Sequence, residues 1–363
     1  MTVEDQVYEV YDVLEKLDSK YTLKNKDIAF ECIQKAISLK NKELEFDARH
    51  EYLSQLVFMN FHDEAIALYP WFLNYKKNND IDFYRYHTLV WSFKWVVGRI
   101  GSYGKISRKQ IATLFEQFEQ EVLEFGAGKK IISYFNLTLH TYMGNLEEAE
   151  VHYKAYKRSR AVSSIDDCYA CQINNVVDFS LQKRDYKKVI RDSKDLVYKK
   201  YSCDSVPKTT YPKICMAYLM MGNSLKAEEF YQLSVKDLRM TQPQIPNVGY
   251  LLYYLAKNKM YVQAKKLLDK QLKYSFETNA DLYKLRFCIG CYFLFKNAAT
   301  DGIEFFKLNV DESFGLEATK KGYKVTELRD WYKVQVEEYI KLLDTRNENS
   351  FYQEYFDYLE NEL

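Results

Sequence analysis

The chain has 363 residues, of which 52 are basic and 51 acidic, so its formal net charge is +1. This balance excludes a chain whose whole surface is basic for nucleic-acid binding. With only 12 glycines and 5 prolines, it has too few turn residues for an all-β fold. Its 33 tyrosines and 22 phenylalanines supply a folded core and exclude a disordered chain.

No segment of the sequence points to a membrane. The sequence Met1–Asp5 is acidic and lacks the basic and apolar regions of a signal peptide. The apolar stretches Tyr250–Ala256 and Phe287–Phe295 are well short of the about 20 residues that cross a bilayer. Seven cysteines, an odd number, indicate a reducing compartment in a chain of this length. We therefore expect a cytoplasmic protein with no membrane partner.

A recurring pattern along the chain predicts pairs of helices. A turn-forming residue is followed five positions later by a small residue and then by a bulky one, as in Gly144, Ala149 and Tyr153. The anchor positions of the successive copies are Ala29, Ala65, Ala149, Val189, Ala227, Ala264 and Gly302. Anchors lie 36 to 40 residues apart except for one interval of 84. That interval predicts a degenerate pair with its turn at Gly98–Gly104 and its second helix at Arg108–Glu124.

These pairs predict the fold class. A short amphipathic helix cannot bury its apolar stripe alone, and a tight turn folds the next helix against it. We predict an all-α protein, a right-handed α-solenoid of about eight antiparallel helix pairs. The expected segments are N-terminal repeats at 1–125, degenerate near 80–125, regular repeats at 126–310, and capping helices with an acidic tail at 311–363. The capping helix is predicted at Thr326–Leu343.

The best copy of the pattern resembles the tetratricopeptide repeat (TPR). It contains Tyr211, Ile214, Cys215, Tyr218, Gly222, Ala227 and Tyr231. The resemblance is strongest in residues 130–275 and weakest at 80–125. More narrowly, a set of segments is similar to a group of bacterial TPR proteins of uncharacterised function: Trp91–Gly98, Met143–Gly144, Asp167–Cys171 with its Asp-Cys-x-x-Cys motif, and Ser202–Cys203. The resemblance implies a superhelix whose concave face binds a protein or peptide.

Two Cys-x-x-Cys pairs are present, at Cys168/Cys171 and Cys288/Cys291. They are about three repeats apart, too far for one zinc site. Cys288 and Cys291 lie in an apolar helix and are predicted to pack in the core. Cys168 and Cys171 begin the first helix of a pair. The second helix returns the chain to the same end, where Cys203 follows, so three thiols are expected to meet.

Three interpretations of this thiol cluster remain open. The thiolates of Cys168, Cys171 and Cys203 can hold a structural zinc ion, completed by Asp166, Asp167 or a water. A helix N-terminus lowers a thiol pKa, which suits a redox sensor. Alternatively, the thiols only pack at a corner of the fold.

No sequence pattern of catalysis is present: there is no zinc-protease helix, phosphate-binding loop or nucleophile elbow. We therefore expect no enzyme and no organic cofactor. The expected function is a protein- or peptide-binding scaffold that uses the concave face. The alternative is a metal- or redox-responsive regulator centred on the thiol cluster.

Charge is uneven along the chain. Residues 183–200 hold eight basic and three acidic side chains, and residues 337–362 hold eight acidic and two basic ones. Such runs are typical of solvated helix faces. They also fit a basic middle that attracts an acidic partner or the acidic tail of the same chain. A nucleic-acid partner is not favoured.

Overall fold

A computed structural model of the chain describes residues 2–17, 21–309 and 315–362. Within these ranges the fold is all-α, with 18 α-helices and one two-stranded sheet, which confirms the predicted fold class. The described helices include none with the length and apolar character needed to span a bilayer.

Helices follow one another through most of the described chain. The first nine are α1 (Val3–Leu17), α2 (Leu23–Ser38), α3 (Lys42–Phe58), α4 (His62–Asn78), α5 (Phe83–Ile100), α6 (Arg108–Glu124), α7 (Lys129–Tyr142), α8 (Leu146–Arg158) and α9 (Tyr169–Gln182). The remaining α-helices and strands are α10 (Tyr186–Asp192), α11 (Lys194–Val197), α12 (Tyr211–Met220), α13 (Ser224–Lys236), α14 (Ile245–Lys257), α15 (Tyr261–Glu277), α16 (Asp281–Thr300), β1 (Phe305–Phe306), β2 (Tyr323–Lys324), α17 (Val325–Asn347) and α18 (Phe351–Asn361). The two strands pair antiparallel.

Local sequence signals explain where the helices begin and end. The Ser107 side chain caps α6 and forms a reciprocal capping box with Gln110, which satisfies two free backbone donors. Gly144 and Gly222 follow α7 and α12 with φ of +72°, a conformation that glycine adopts without strain. The helix predicted at Arg108–Glu124 is confirmed residue for residue, although its preceding turn begins after Ile100.

Consecutive helices pack in pairs, and the pairs pack on one another. The helices α3, α5, α7, α9, α12, α14 and α16 each contact the next member of this series. We call them the inner helices. The second helix of a pair also contacts the next inner helix, as α4 contacts α5 and α15 contacts α16. The predicted anchors Ala29, Ala65, Ala149, Ala227 and Ala264 are fully buried, because only a small side chain fits between two helices this close.

The last predicted anchor is wrong. The pattern placed a turn at Asn297 and a new helix around Gly302, whereas α16 continues to Thr300 and Gly302 lies beyond it with φ of +79°. A nearly continuous buried surface keeps α16 helical, since it packs between α14 and α17. Gly249 and Gly290 allow this contact, because a Cβ on Gly249 would lie 2.2 Å from the Arg286 carbonyl oxygen.

The array folds back on itself. The start of α16 and the residues just before it reach the turns after α3 and α5, more than 170 residues away in the sequence. The Asn60 amide donates to Thr278 Oγ1 at 2.7 Å, the Gly104 N–H donates to Asp281 Oδ2 at 2.8 Å, and the Leu282 N–H donates to the Ser102 carbonyl at 3.0 Å. The inner helices therefore surround a central space.

The helix predicted at Thr326–Leu343 lies within α17, which packs on α16, the last of the inner helices. The C-terminal helices also reach back across the array. The buried Arg346 of α17 bonds the turn between α5 and α6, with its Nη2 2.7 Å from the Gly101 carbonyl oxygen. In α18, the Tyr352 hydroxyl donates to the Tyr142 carbonyl, and the Glu354 carbonyl accepts from Arg184. The C-terminal helix α18 thus lies beside the start of the basic segment, through a backbone carbonyl and the Tyr358 ring. The described ion pairs include none between a carboxylate of the tail and residues 183–200, so attraction between the two charge runs stays a prediction.

Candidate functional site

The three thiols predicted to converge do lie together. Cys168 is the N-cap of α9, and its Sγ accepts a hydrogen bond from the Cys171 N–H at 3.4 Å. Cys203 follows α11, and its Sγ lies 3.6 Å from that of Cys171. All three sulfur atoms are within 4.8 Å of one another. The predicted proximity is confirmed, and it follows from the antiparallel course of α9 and of α10 with α11.

A small apolar cluster fixes the two segments that carry the thiols. Ala170 of α9, Leu196 of α11 and Val206 are buried against one another beneath the sulfur atoms. The Cys203 N–H donates to the Val206 carbonyl at 2.9 Å, which closes the loop around the thiol. The thiols therefore have a defined arrangement. The predicted core positions of Cys288 and Cys291 are also confirmed, since both are buried.

The environment moves the pKa values of two of these thiols in opposite directions. Burial raises the pKa of Cys171, and its neighbours Cys168 and Cys203 raise it further. Burial acts in the same sense on Cys203, but hydrogen bonds from the backbone of Val206 and Ser205 outweigh it and lower the pKa of Cys203. Cys203 is therefore the more readily ionised of the two.

The spacing fits a soft metal ion. Tetrahedral zinc with Zn–S bonds of about 2.3 Å separates two sulfur ligands by about 3.8 Å, close to the 3.6 Å between Cys171 and Cys203. Neither predicted aspartate places an oxygen within 4.8 Å of all three sulfur atoms in the described structure. Asp167 is bonded to Lys94 and Tyr134, and Asp166 accepts from the Ser163 N–H. The Ser205 hydroxyl, 3.7 Å from Cys203 Sγ, or a water is left as the fourth ligand.

A buried lysine that sequence reasoning missed supports the loop before Cys168. The side chain of Lys94 is fully buried, and its Nζ lies 2.9 Å from both Asp167 Oδ1 and the Ile165 carbonyl oxygen. The same Nζ lies 3.2 Å from the centre of a Trp91 ring. Burial lowers the pKa of Lys94, and Asp167 opposes that change. In the sequence, the one feature that could have indicated this role is that Lys94 is a lone lysine within the aromatic run of α5.

The inner helices line a partly open cavity of about 280 Å³. Much of its wall is polar, and the charged or amide-bearing side chains on it are Asn60, Lys94, Arg99, Asp167, Asn174, Asn175, Asp178, Lys213, Gln244, Asn247 and Arg286. Cys171 also lines the cavity, so the thiol cluster forms part of its wall. Sequence reasoning missed this cavity, because its wall comes from seven helices spread over more than 200 residues.

Comparison with known protein families finds no matching family, and comparison with curated proteins finds no similar sequence. The function must therefore be inferred from the geometry of the thiol cluster and of the cavity.

Proposed function

We propose that the chain is a right-handed, TPR-like α-solenoid of about eight helix pairs that binds a short protein or peptide segment on its inner face. The observation that supports this proposal is the polar wall built by successive inner helices. A concave surface with a few convergent polar side chains is typical of a ligand site. A cavity of about 280 Å³ admits a few residues of a chain end or loop and excludes a folded domain.

The amides on the wall suit an extended backbone. In the described part of the chain, Asn175 and Asn247 donate through Nδ2, to Tyr134 and Gln244 respectively. Asn174 instead accepts through Oδ1, from Thr210 and Lys213. A side-chain amide both donates and accepts, so each has a second end for a ligand. The N–H and C=O groups of a peptide backbone can pair with these amide groups. Burying a peptide in the cavity costs free energy unless its backbone groups find such hydrogen-bond partners.

The test is a selection from a peptide library with the reduced full-length chain, followed by titration of the selected peptide. We expect Asn247→Ala and Asn174→Ala each to weaken binding about fivefold, the effect of one lost hydrogen bond. Asn78→Ala, on the exposed end of α4, is the matched control and should not change the affinity. A library without a binder, or a selected peptide insensitive to both cavity variants, argues against inner-face binding.

The second candidate function is metal- or redox-responsive regulation through Cys168, Cys171 and Cys203. The observation that favours it is the placement of three sulfur atoms within 4.8 Å. Thiolates select zinc or copper(I) over harder cations. Because Cys171 lies in the cavity wall, a metal ion or a disulfide at this position would alter the ligand surface directly.

Zinc titration against a chromophoric chelator separates the two forms of this proposal. A metal site predicts about one zinc per chain, lost in Cys171→Ser and Cys203→Ser and retained in Cys32→Ala, which removes a buried thiol elsewhere. Less than about 0.2 zinc per chain excludes the metal form. In the redox form, hydrogen peroxide accepts two electrons and two protons from Cys171 and Cys203, which gives a disulfide and water. Peptide mass spectrometry that finds no such disulfide excludes that form.

A further inference from the structure

A group of cations faces the interior cavity with too few carboxylates nearby. Lys94, Arg99, Lys213 and Arg286 line the cavity together with only two carboxylates, so the wall has a formal charge of +2. Lys94 is paired with Asp167 at 2.9 Å. For the other three cations, from α5, α12 and α16, the lining residues include one further carboxylate, Asp178 of α9.

Asp178 neutralises these cations poorly. Its Oδ2 lies 3.7 Å from Lys213 Nζ and its Oδ1 lies 4.0 Å from Arg286 Nη1, whereas charge-assisted hydrogen bonds measure about 2.7–2.9 Å. Asp178 Oδ1 has no hydrogen-bond partner among the described residues. The ion pairs are thus loose, and the further contact of Lys213 Nζ is with the neutral amide oxygen of Asn174 at 3.3 Å, so the positive charge of the group is only partly neutralised.

Arg286 has unused donor capacity. Its side chain is only 7% exposed, and its Nη2 is buried without a hydrogen-bond partner in the described part of the chain. A buried guanidinium nitrogen without an acceptor is costly. A molecule that supplies the acceptor would remove this cost.

Arg99 of α5 adds a third cation to the group. Its guanidinium donates to the hydroxyl of Tyr283, which comes from α16. The described ion pairs include none to Arg99. Burial lowers the pKa of Lys213, and repulsion from Arg286 and Arg99 lowers it further while Asp178 opposes the change. The three cations therefore act on one another across the same space.

We propose that the cavity binds an oxyanion group, a carboxylate or a phosphate, between Arg286, Arg99 and Lys213. Two planar guanidinium groups suit the paired oxygens of such a group, and a lysine adds a point charge. The Tyr283 hydroxyl and the amides of Asn174 and Asn247 supply neutral partners around it. This inference deepens the proposed function and rests on it for the location of the ligand, whose charged end it identifies.

The test uses the reduced full-length chain, inorganic phosphate and acetate as probes, and a buffer low in chloride. Calorimetry should give one site per chain for at least one probe. The same probe should raise the midpoint of thermal unfolding with concentration, because a ligand that binds only the folded state stabilises it. The effective probe identifies the oxyanion. Sodium chloride at equal ionic strength is the control, and no saturable binding of either probe overturns the proposal.

Variants of opposite expected sign make the test specific. Arg286→Gln and Arg99→Gln should each weaken the effective probe about tenfold, the effect of losing a charged hydrogen bond. Asp178→Asn removes the competing carboxylate and should tighten binding several-fold. Arg160→Gln, at an exposed arginine outside the cavity, should bind like the natural chain. If Arg286→Gln does not fold, as circular dichroism would reveal, Arg99→Gln is decisive because its side chain is only partly buried.

Two further outcomes separate this inference from the proposed function. Phosphate or acetate binding that depends on Arg99, without any selected peptide, supports the anion site and contradicts peptide binding. A selected peptide that binds equally with a free and an amidated C-terminus, with no binding of either probe, supports the peptide site and contradicts the anion site. Equal probe affinity in the natural chain and in both arginine variants also overturns the proposal.

Discussion

Replacing Arg346 by methionine should loosen the connection between the C-terminal helices and the turn after α5. The guanidinium is 8% exposed and donates to three backbone carbonyls, at 2.7 Å for Gly101, 3.0 Å for Tyr103 and 3.3 Å for Ile106. Hydrogen bonds from charged donors contribute about 1.5–3 kcal/mol each, and the lost partners leave buried carbonyls unsatisfied. Removing the buried charge also removes its desolvation cost, which offsets part of this loss. We therefore expect the free energy of unfolding to fall by about 3–5 kcal/mol.

Urea unfolding followed by tryptophan fluorescence measures this loss. The matched control is Arg329→Met in the same helix, where the arginine is partly exposed and its one ion pair among the described residues is with the adjacent Asp330. Its effect should stay within about 0.5 kcal/mol. Hydrogen exchange should accelerate in the backbone of residues 101–107 of the Arg346 variant. A loss below about 1 kcal/mol, or unchanged exchange in that turn, would refute the assigned role of Arg346.

Three other perturbations test separate parts of the structure. Gly249→Ala places a Cβ 2.2 Å from the Arg286 carbonyl oxygen and should lower the free energy of unfolding, measured by thermal unfolding, by about 3 kcal/mol. The control Gly126→Ala meets no atom within 4 Å but has a positive φ, and should lower it by about 1 kcal/mol. Burial lowers the pKa of His62 to about 3, so as the pH falls below about 6.5 His62 takes up a proton in the unfolded state but not in the folded state. The free energy of unfolding should therefore fall by about 2 kcal/mol between pH 7 and 5 through His62 alone. In His62→Gln, the urea midpoint should lack this part of its pH dependence. Lys94→Met keeps all three thiols but releases the loop that precedes them, and should weaken the zinc affinity about tenfold in the chelator titration. An unchanged zinc affinity would contradict a role of Lys94 in holding that loop.

The helical pattern was readable because it is local. The buried alanines at positions 29, 65, 149, 227 and 264 and the capped helix α6 follow from residues a few positions apart. The error at Asn297 has the opposite origin. A turn-like sequence there stays helical because α14 and α17 cover it, and tertiary packing overrides local preference.

The site was predictable only in part, for a related reason. The convergence of Cys168, Cys171 and Cys203 needs one helix hairpin, which the repeat pattern contains. The cavity and its cations need the curvature of the whole array, which brings residue 60 to residue 278. That curvature results from small rotations between many pairs, and no short segment encodes it. Lys94 and Arg286 therefore looked like ordinary charged residues of their helices.

The contacts that close the array have a mechanical consequence. An open stack of helix pairs extends under load like a coil spring, because each unit touches only its neighbours. In this chain Asn60 is bonded to Thr278, and α18 is bonded at Tyr142, Arg184 and Tyr253. Such bonds connect helix pairs that are distant in the sequence, in parallel with the chain. Tension along the array must break them before the stack lengthens, so this protein should resist force as a stiff body and then yield abruptly.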